Sequence, residues 1–386
     1  MNSSISVFGV GKVGITLISA MLNKNIKVIG VDKNTALLDD IKNKSYKSDE
    51  PGVQEILNKK IDLLTVTNNT SLAIKKTNFS FIIVPTNSNT LGGFSNKYII
   101  QVLKSISKAI KQKKTYHTIS IVSTIIPGSS EFELIPLVEK ISGKKANRDF
   151  GFCYNPSFIA QGEIMKGIVT PDYVLIGENS KKSGKMTEKV HKKILKENVP
   201  IVKMNCTEAE ITKIASNTHE TMRVSFANML AQICNEMPET NVDSVTNALS
   251  FRLGKRFFKG AVPYGGPCWP RDNIALSGVL NSVSLDDTIP RVVDSYNLWH
   301  GDKIIELISK KLNKSSSVGV IGLAYKVGTN LIDKSFSLKI CNNLSPKVKS
   351  IVGYDPLASS NFKNQFKSSR FKIANDIEEC LKNDVC

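Results

Sequence analysis

Ile5 to Phe8 is a short apolar run that meets Gly9-Val-Gly-Lys-Val-Gly14. An amphipathic pattern follows through Met21, and a second apolar run, Lys27 to Val31, ends at Asp32. Strand, tight turn, helix, strand and acid within about 30 residues is the order a dinucleotide-binding βαβ unit requires. In such a turn Gly9 allows the sharp bend, Gly11 lets the backbone approach a pyrophosphate, and Gly14 lets the helix pack closely on the strand. The phosphates then meet the N–H groups of a helix start. Asp32, eighteen residues after Gly14, can accept hydrogen bonds from a ribose diol and would repel a 2′-phosphate. That selects NAD over NADP, with Lys33 next to it working against the preference.

Further strand-like runs at Ser80 to Val84, Ile119 to Ser123 and Tyr173 to Ile176 alternate with helical patterns, which predicts a parallel α/β sheet. After Pro200 the pattern changes. Glu208 to Glu236 reads as one long helix carrying Ile211, Ile214, Ala215, Met222, Phe226 and Leu230, with Thr207 and Glu210 as a capping box and Pro238 just past its end. Helical character continues to about Lys311. Val318 to Gly322 then starts another strand-glycine-helix unit, followed by a strand at Ile351 to Tyr354 that ends in Asp355. Two α/β domains bracketing a helical one are expected, and 386 residues with 41% apolar content suffice for that.

Composition narrows the function. Seven cysteines, odd in number and without CxxC spacing, and four dispersed histidines give no metal-ligand pattern, so reduced thiols in a cytosol are expected. No stretch has the roughly 18 to 20 apolar residues of a membrane span, and the N-terminus runs into a strand without an apolar signal region. A soluble cytoplasmic protein is the expectation. The formal charge of +18 is mostly dispersed lysine. Tracts such as Lys108 to Lys114 lack interleaved aromatics and read as solvated helix faces, not as a nucleic-acid surface. The positive field would still attract phosphorylated small molecules.

Tyr264 to Asp272, YGGPCWPRD, carries the chemistry. Paired glycines expose backbone beside a thiol, and the helical NIALSGVL that follows puts Cys268 near a helix N-terminus and close to Arg271, features that favour a thiolate. A buried structural cysteine is the bland alternative; the surrounding glycines, prolines and charges argue against it. Lys213 and Asn217, four apart on the long helix, share one face, as a solvated surface pair also would. Taken together, a cysteine can add to an aldehyde, a lysine can stabilise the oxyanion, and NAD can take hydride to leave a thioester.

The chain resembles the UDP-glucose/GDP-mannose dehydrogenase family over nearly its whole length. Matching positions are FGVGKVG with Asp32, the Glu50-Pro51-Gly52 loop, Val84-Pro85-Thr86, Ser123-Thr124 before Pro127, NPSFIAQG at Asn155 to Gly162, and PDYVLIG at Pro171 to Gly177. Later matches are Lys213 and Asn217, Arg252 in FRLGKRFFKG, GGPCWPRD, and GLAYK at Gly322 to Lys326. The resemblance implies an NAD-binding Rossmann-like domain over residues 1–199, a central helical domain over 200–311 that builds a homodimer, and a C-terminal Rossmann-like domain over 312–386 that grips the nucleotide of a sugar substrate.

Carried over, Gly9, Gly11, Val13, Gly14, Asp32, Pro85, Thr86 and Thr124 contact NAD. Cys268 is the nucleophile, Asp272 the acid working with it, Lys213 and Asn217 the oxyanion and water-positioning pair, and Thr124 the threonine near the nicotinamide. Arg252 crosses the dimer interface to the substrate, and Phe158, Lys259, Tyr264, Gly265 and Lys326 match substrate-contacting positions. Three departures stand out. Relatives carry NPEFLAEG with a glutamate where this chain has Gln161, the position that activates water. Near Asp333, where the family usually has an arginine or glutamate in its second cofactor-contacting motif, the match is too loose to assign a residue. The sequence ends at Asn383 to Cys386, where the family enters another strand, which shortens the C-terminal domain.

The expected reaction is UDP-glucose to UDP-glucuronate with two NAD per turnover, since NPSFIAQG is closer to the UDP-glucose branch than to the PERxxPG pattern of the N-acetylhexosamine branch. GDP-mannose and UDP-N-acetylmannosamine are alternative substrates. A single-step 3-hydroxyacid dehydrogenase and a non-enzymatic nucleotide-sugar binder are the rival classes.

Overall fold

The computed structural model describes residues 5–88, 93–196 and 198–386. The chain forms two compact units, Met1–Lys213 and Ile214–Cys386.

In the first unit the strands are β1 (Ile5–Phe8), β2 (Val28–Val31), β3 (Leu64–Thr67), β4 (Phe79–Ile82), β5 (His117–Ile121), β6 (Phe150–Tyr154), β7 (Val174–Glu178) and β8 (Ile201–Met204). They form one sheet in the order β3-β2-β1-β4-β5-β6-β7-β8. The helices are α1 (Lys12–Asn23), α2 (Thr35–Lys42), α3 (Val53–Lys60), α4 (Thr70–Lys76), α5 (Lys97–Gln112), α6 (Ile135–Ser142), α7 (Ile164–Val169) and α8 (Lys181–Ile194). One face of the sheet is buried under Ile74 of α4, Ile99, Leu103 and Ile106 of α5, and Val138 of α6. The other is covered by Ile15, Ile18 and Leu22 of α1, with Leu57 of α3 and Ile194 of α8. Strands buried on both faces read as continuous apolar runs, as the sequence has them.

The sheet is mixed, which corrects the expectation of an all-parallel one. β6 and β7 pair antiparallel, with Cys153 opposite Glu178 and Tyr154 opposite Gly177, while β7 and β8 are parallel. A parallel crossover needs a helix that carries the chain back across the sheet. Here the connection has only the short α7, whose Ile164 and Ile168 pack into the cluster that contains α1. The chain therefore re-enters the sheet from the end it left. NPSFIAQG thus stays at the carboxyl edge of the strands, where open α/β sheets bind ligands.

α9 (Cys206–Glu236) runs from the first unit into the second. Its start differs from the expected capping box. Asn205 Oδ1 accepts from Glu208 N at 2.8 Å, and Glu208 Oε2 accepts from Asn205 N at 2.9 Å. This is a capping box shifted two residues towards the N-terminus. Glu210 is instead fully buried and accepts from Gly128 N (2.6 Å) and Ser130 N (3.0 Å), so it anchors the loop after β5.

The second unit continues with α10 (Val242–Leu253), α11 (Trp269–Ser282) and α12 (Thr288–Ser309), then β9 (Ser317–Ile321), α13 (Phe336–Leu344), β10 (Ser350–Tyr354), α14 (Ser359–Gln365), β11 (Phe371–Ile373) and α15 (Ile377–Leu381). The parallel sheet β11-β10-β9 encloses Val318, Ile351, Leu344 and Phe362. Val385 forms a parallel bridge with Val318. Among the described residues no helix is long and apolar enough to cross a membrane.

Candidate active site

The glycine turn is built as the spacing requires. Gly9 has φ +93°, and a Cβ there would lie 1.9 Å from the Ile83 carbonyl oxygen; a Cβ on Gly14 would lie 1.9 Å from the Gly9 oxygen. Gly11 faces open space. Its bare backbone borders a cavity of about 880 Å³ that is also lined by Gly9, Val13, Gly14, Asp32 and Pro85. Asp32 fixes the turn from the next strand, with Oδ2 accepting from Val10 N at 2.8 Å and Oδ1 from Asn34 N at 2.9 Å. Lys33 is drawn aside, its Nζ 4.9 Å from the centre of the Tyr98 ring. Ser123 Oγ accepts from Val84 N (2.9 Å) and donates to Val84 O (2.7 Å). That pair ties the loops carrying Pro85, the buried Thr86 and the half-buried Thr124 to one another.

The long connection after β6 carries the next group. Lys213, nearly buried on α9, donates to Ser157 O at 3.0 Å, and its Nζ stands 4.6 Å from the Phe158 ring centre. Phe158 in turn packs on Tyr173 at 5.1 Å. Gln161 has its Oε1 buried without a hydrogen-bond partner. Next to it, the buried Glu50 accepts from Gly162 N (3.1 Å) and Ile164 N (2.6 Å). Glu50 is a residue the sequence flagged only as a matching letter. Its work is to clamp this loop and satisfy the first amides of α7, a role that no local spacing announces because the partners are over a hundred residues apart.

In the second unit, Cys268 is the exposed N-cap residue of α11. Asp272 N donates to Cys268 O at 2.8 Å. The Asp272 side chain is 1% exposed and its Oδ2 accepts from Asn217 Nδ2 at 2.5 Å, while Arg271 Nε lies 3.8 Å from its Oδ1. Thiol and carboxylate thus belong to one helix start, and the amide reaches the carboxylate from α9. The paired glycines serve differently from the expectation that they expose backbone. Gly266 (φ +83°) donates to Asp333 O at 2.8 Å, a Cβ on it would lie 2.5 Å from the Tyr325 ring, and one on Gly265 would lie 2.2 Å from Lys334 O. They are glycines because the segment after β9, with Tyr325 and the half-buried Lys326, lies directly on them.

Tyr264 is buried, and its hydroxyl donates to Asp294 at 2.5 Å and accepts from Asn273 at 3.3 Å. Burial and the neighbouring Asp294 push its phenol far up, so it stays neutral. Its hydroxyl is committed to that network, and its backbone is held by Asn297, whose Oδ1 accepts from Tyr264 N and whose Nδ2 donates to Tyr264 O, both at 2.9 Å. Arg252, in the last turn of α10, and Lys259, 3.8 Å from Asp243, are exposed and do not join the buried Asn217–Asp272 pair.

Sequence profiles of the UDP-glucose/GDP-mannose dehydrogenase family match three stretches: its NAD binding domain over residues 3–195, its central domain over 207–298 and its UDP binding domain over 319–385. The chain belongs to this family. It is 28% identical over 348 residues to a GDP-mannose 6-dehydrogenase of Pseudomonas syringae pv. syringae, covering 89% of this chain and 78% of the relative. With a UDP-glucose 6-dehydrogenase of Haloferax volcanii it shares 24% over 367 residues, 94% of this chain and 85% of the relative. The structure of a UDP-glucose dehydrogenase from Pyrobaculum islandicum superposes with a TM-score of 0.88 at 24% identity, covering 98% of this chain and 87% of that one.

The family's members are NAD-dependent nucleotide-sugar dehydrogenases, and NAD is the cofactor of this domain. The residues fit it. Gly11 keeps its Cβ position open on the large cavity, and the Asp32 oxygens, each accepting one N–H, retain capacity for a ribose diol. Against the family's NPEFLAEG, this chain lacks two carboxylates, at Ser157 as well as Gln161; only the second was singled out from sequence. Glu163 does not replace them, because it is exposed and pairs with Lys166 at 3.1 Å.

Proposed function

We propose that this enzyme oxidises the primary alcohol of a UDP-linked glucose to a carboxylate through a thiohemiacetal and a thioester on Cys268. The carrying observation is the exposed thiol at the N-cap of α11 with the buried Asp272 one turn along the same helix. The alcohol carbon first loses a hydride and its hydroxyl a proton, giving the aldehyde. Cys268 Sγ adds to that carbon, a second hydride leaves the thiohemiacetal carbon, and water then cleaves the C–S bond to release carboxylate and thiol. NAD, when bound, supplies the hydride acceptor, and two are reduced per sugar.

The N-terminus of α11 favours negative charge on Sγ. Lys213 offsets the charge that develops on the carbonyl oxygen, Asn217 orients the Asp272 carboxylate, and Asp272 works with the Cys268 thiol, taking its proton as Sγ adds to the aldehyde. Asp32 holds the ribose, Thr124 lies by the nicotinamide, and Phe158, Lys259, Tyr264, Gly265 and Lys326 contact the substrate. With amides and hydroxyls at Ser157 and Gln161, thioester hydrolysis loses a general base, an effect of about 100- to 10,000-fold. A burst of NADH followed by a slow steady state is the expected trace, and Gln161→Glu should raise the steady rate. No burst in the native enzyme, with Gln161→Glu no faster, would remove the handicap.

A homodimer completes the proposal. Phe251 is 89% exposed, and Phe226, Met229, Ile233, Met237 and Leu253 are also exposed. Apolar side chains at this density mark a surface that a protein partner covers. A second copy places Arg252, next to Phe251, at the neighbouring site. Light scattering that finds an active monomer would refute this.

GDP-mannose is the second reading, favoured by the 28% identity to a GDP-mannose 6-dehydrogenase; the NPSFIAQG segment, nearer the UDP-glucose branch, supports the first. NADH formation with UDP-glucose, GDP-mannose and UDP-N-acetylmannosamine distinguishes them. UDP-glucose should give the highest kcat/KM. GDP-mannose ahead of it would reverse the assignment, and no NADH from any of the three would leave a binder.

A further inference from the structure

The Ser157 carbonyl that receives Lys213 belongs to a segment fixed from behind by Asn155. Asn155 N donates to Ile121 O at 2.7 Å, its Nδ2 donates to Leu175 O at 2.7 Å, and its Oδ1 stands 2.6 Å from His191 Nε2. Because Nδ2 is committed as a donor, Oδ1 is the acceptor, and His191 must carry its proton on Nε2. His191 sits on α8, with its ring edge-on to Phe81 at 6.0 Å. Burial depresses its basicity to about 4, so the ring is neutral.

His191 Nδ1 is buried with no hydrogen-bond partner. Among the described residues the ring therefore makes one polar contact, to Asn155. Leaving a buried acceptor unpaired costs stability, and a leucine in this apolar surrounding would avoid that cost. The contact to Asn155 is what a leucine could not supply. A small cavity of about 50 Å³, bordered by His191, Asn155, Pro156, Ser157 and Phe158, leaves the segment room to shift if that contact is lost.

We propose that His191 is a positioning residue for Lys213: through Asn155 it fixes the peptide whose carbonyl holds the lysine ammonium where the oxyanion forms. The proposal rests on the oxyanion role given to Lys213 above. It adds a histidine from α8, outside the motifs matched above, to the residues on which turnover depends.

His191→Phe keeps volume and apolar packing but removes the donor; His191→Gln keeps an N–H at about the reach of Nε2; Lys213→Ala tests the underlying role. Misplacing a catalytic group by about 1 Å can cost up to about 100-fold, so His191→Phe should lower kcat by about tenfold or more, with KM for NAD within about twofold. His191→Gln should recover most of the rate, although both variants lower Tm. Should His191→Phe fail to fold, His191→Asn, whose N–H falls one carbon short, should show the same loss against His191→Gln. Native kcat in His191→Phe or His191→Asn, with Lys213→Ala inactive, overturns the positioning role. Native kcat in Lys213→Ala overturns the oxyanion role instead.

Discussion

The turn after β1 and the turn after β9 use the same device and use their carboxylates differently. Gly9 (φ +93°) donates to Val31 O at 2.8 Å, and Gly322 (φ +85°) donates to Tyr354 O at 2.9 Å. In each case the acid ending the next strand locks the loop. Asp32 accepts one backbone N–H on each oxygen. Asp355 accepts two on each, from Leu323 and Ala324 and from Leu357 and Ala358. A carboxylate offers about four acceptor positions, so Asp355 is saturated by its own fold while Asp32 keeps positions for a ligand. The first turn enters α1 at Lys12; the second runs on to Phe336, and its intervening residues include Tyr325 and Asp333, which meet Gly266. One local pattern thus borders an open cavity in one place and organises the backbone leading to Cys268 in the other.

Alanine at the two glycines should break the likeness most sharply. Gly9→Ala meets a backbone oxygen at 1.9 Å, whereas Gly322 has nothing within 4 Å of its Cβ position. Gly9→Ala should therefore prevent recovery of folded protein. Gly322→Ala should cost only the left-handed penalty of about 1–2 kcal/mol, read as a modest fall in Tm.

The acids come next. Asp355→Ala strands four amides and should cost about 3 kcal/mol in urea unfolding. Asp32→Ala should cost about 1 kcal/mol and raise KM for NAD about tenfold. Equal losses of stability would show that Asp32 is as saturated as Asp355. Burial raises the Asp355 carboxyl, but its four N–H donors outweigh that and hold it below the ordinary 3.8. Its contribution is therefore present above that value and lost only as pH falls from there through the lower native value.

The smallest effect separates the NAD unit by pH. His117 bonds Ser80 (2.7 Å) and lies 3.1 Å from Thr77 O, and burial, then Lys113, depress it from 6.5 to about 3. The unfolded chain takes a proton that the native one refuses, so its contribution is full above about 6.5 and declines as pH falls towards 3. About 1 kcal/mol should be lost by pH 5.5, above the range in which Asp355 acts. His117→Asn should flatten that slope in urea titrations.

Where structure rests on neighbours in sequence, the sequence revealed it. Gly9, Gly14, Asp32 and the Cys268 helix start follow from spacing, and so does the run of α9 to Glu236. The antiparallel β7 was hidden because it depends on α7 packing near α1 instead of crossing back. The capping box moved because Asn205 and Glu208 fit the same rule as Thr207 and Glu210, while Glu210 is claimed by Gly128 and Ser130, eighty residues earlier. The roles of Glu50 and His191 were hidden for the same reason: their partners are remote.

The central claim, oxidation by two hydride transfers through a covalent bond to Cys268, is tested most directly by counting NADH per carboxylate formed while following the intact protein by mass spectrometry. Two NADH per sugar nucleotide, a transient adduct on the native enzyme, and binding without sustained turnover in Cys268→Ser are expected. One NADH per sugar nucleotide, or near-native carboxylate production by Cys268→Ser, would contradict it.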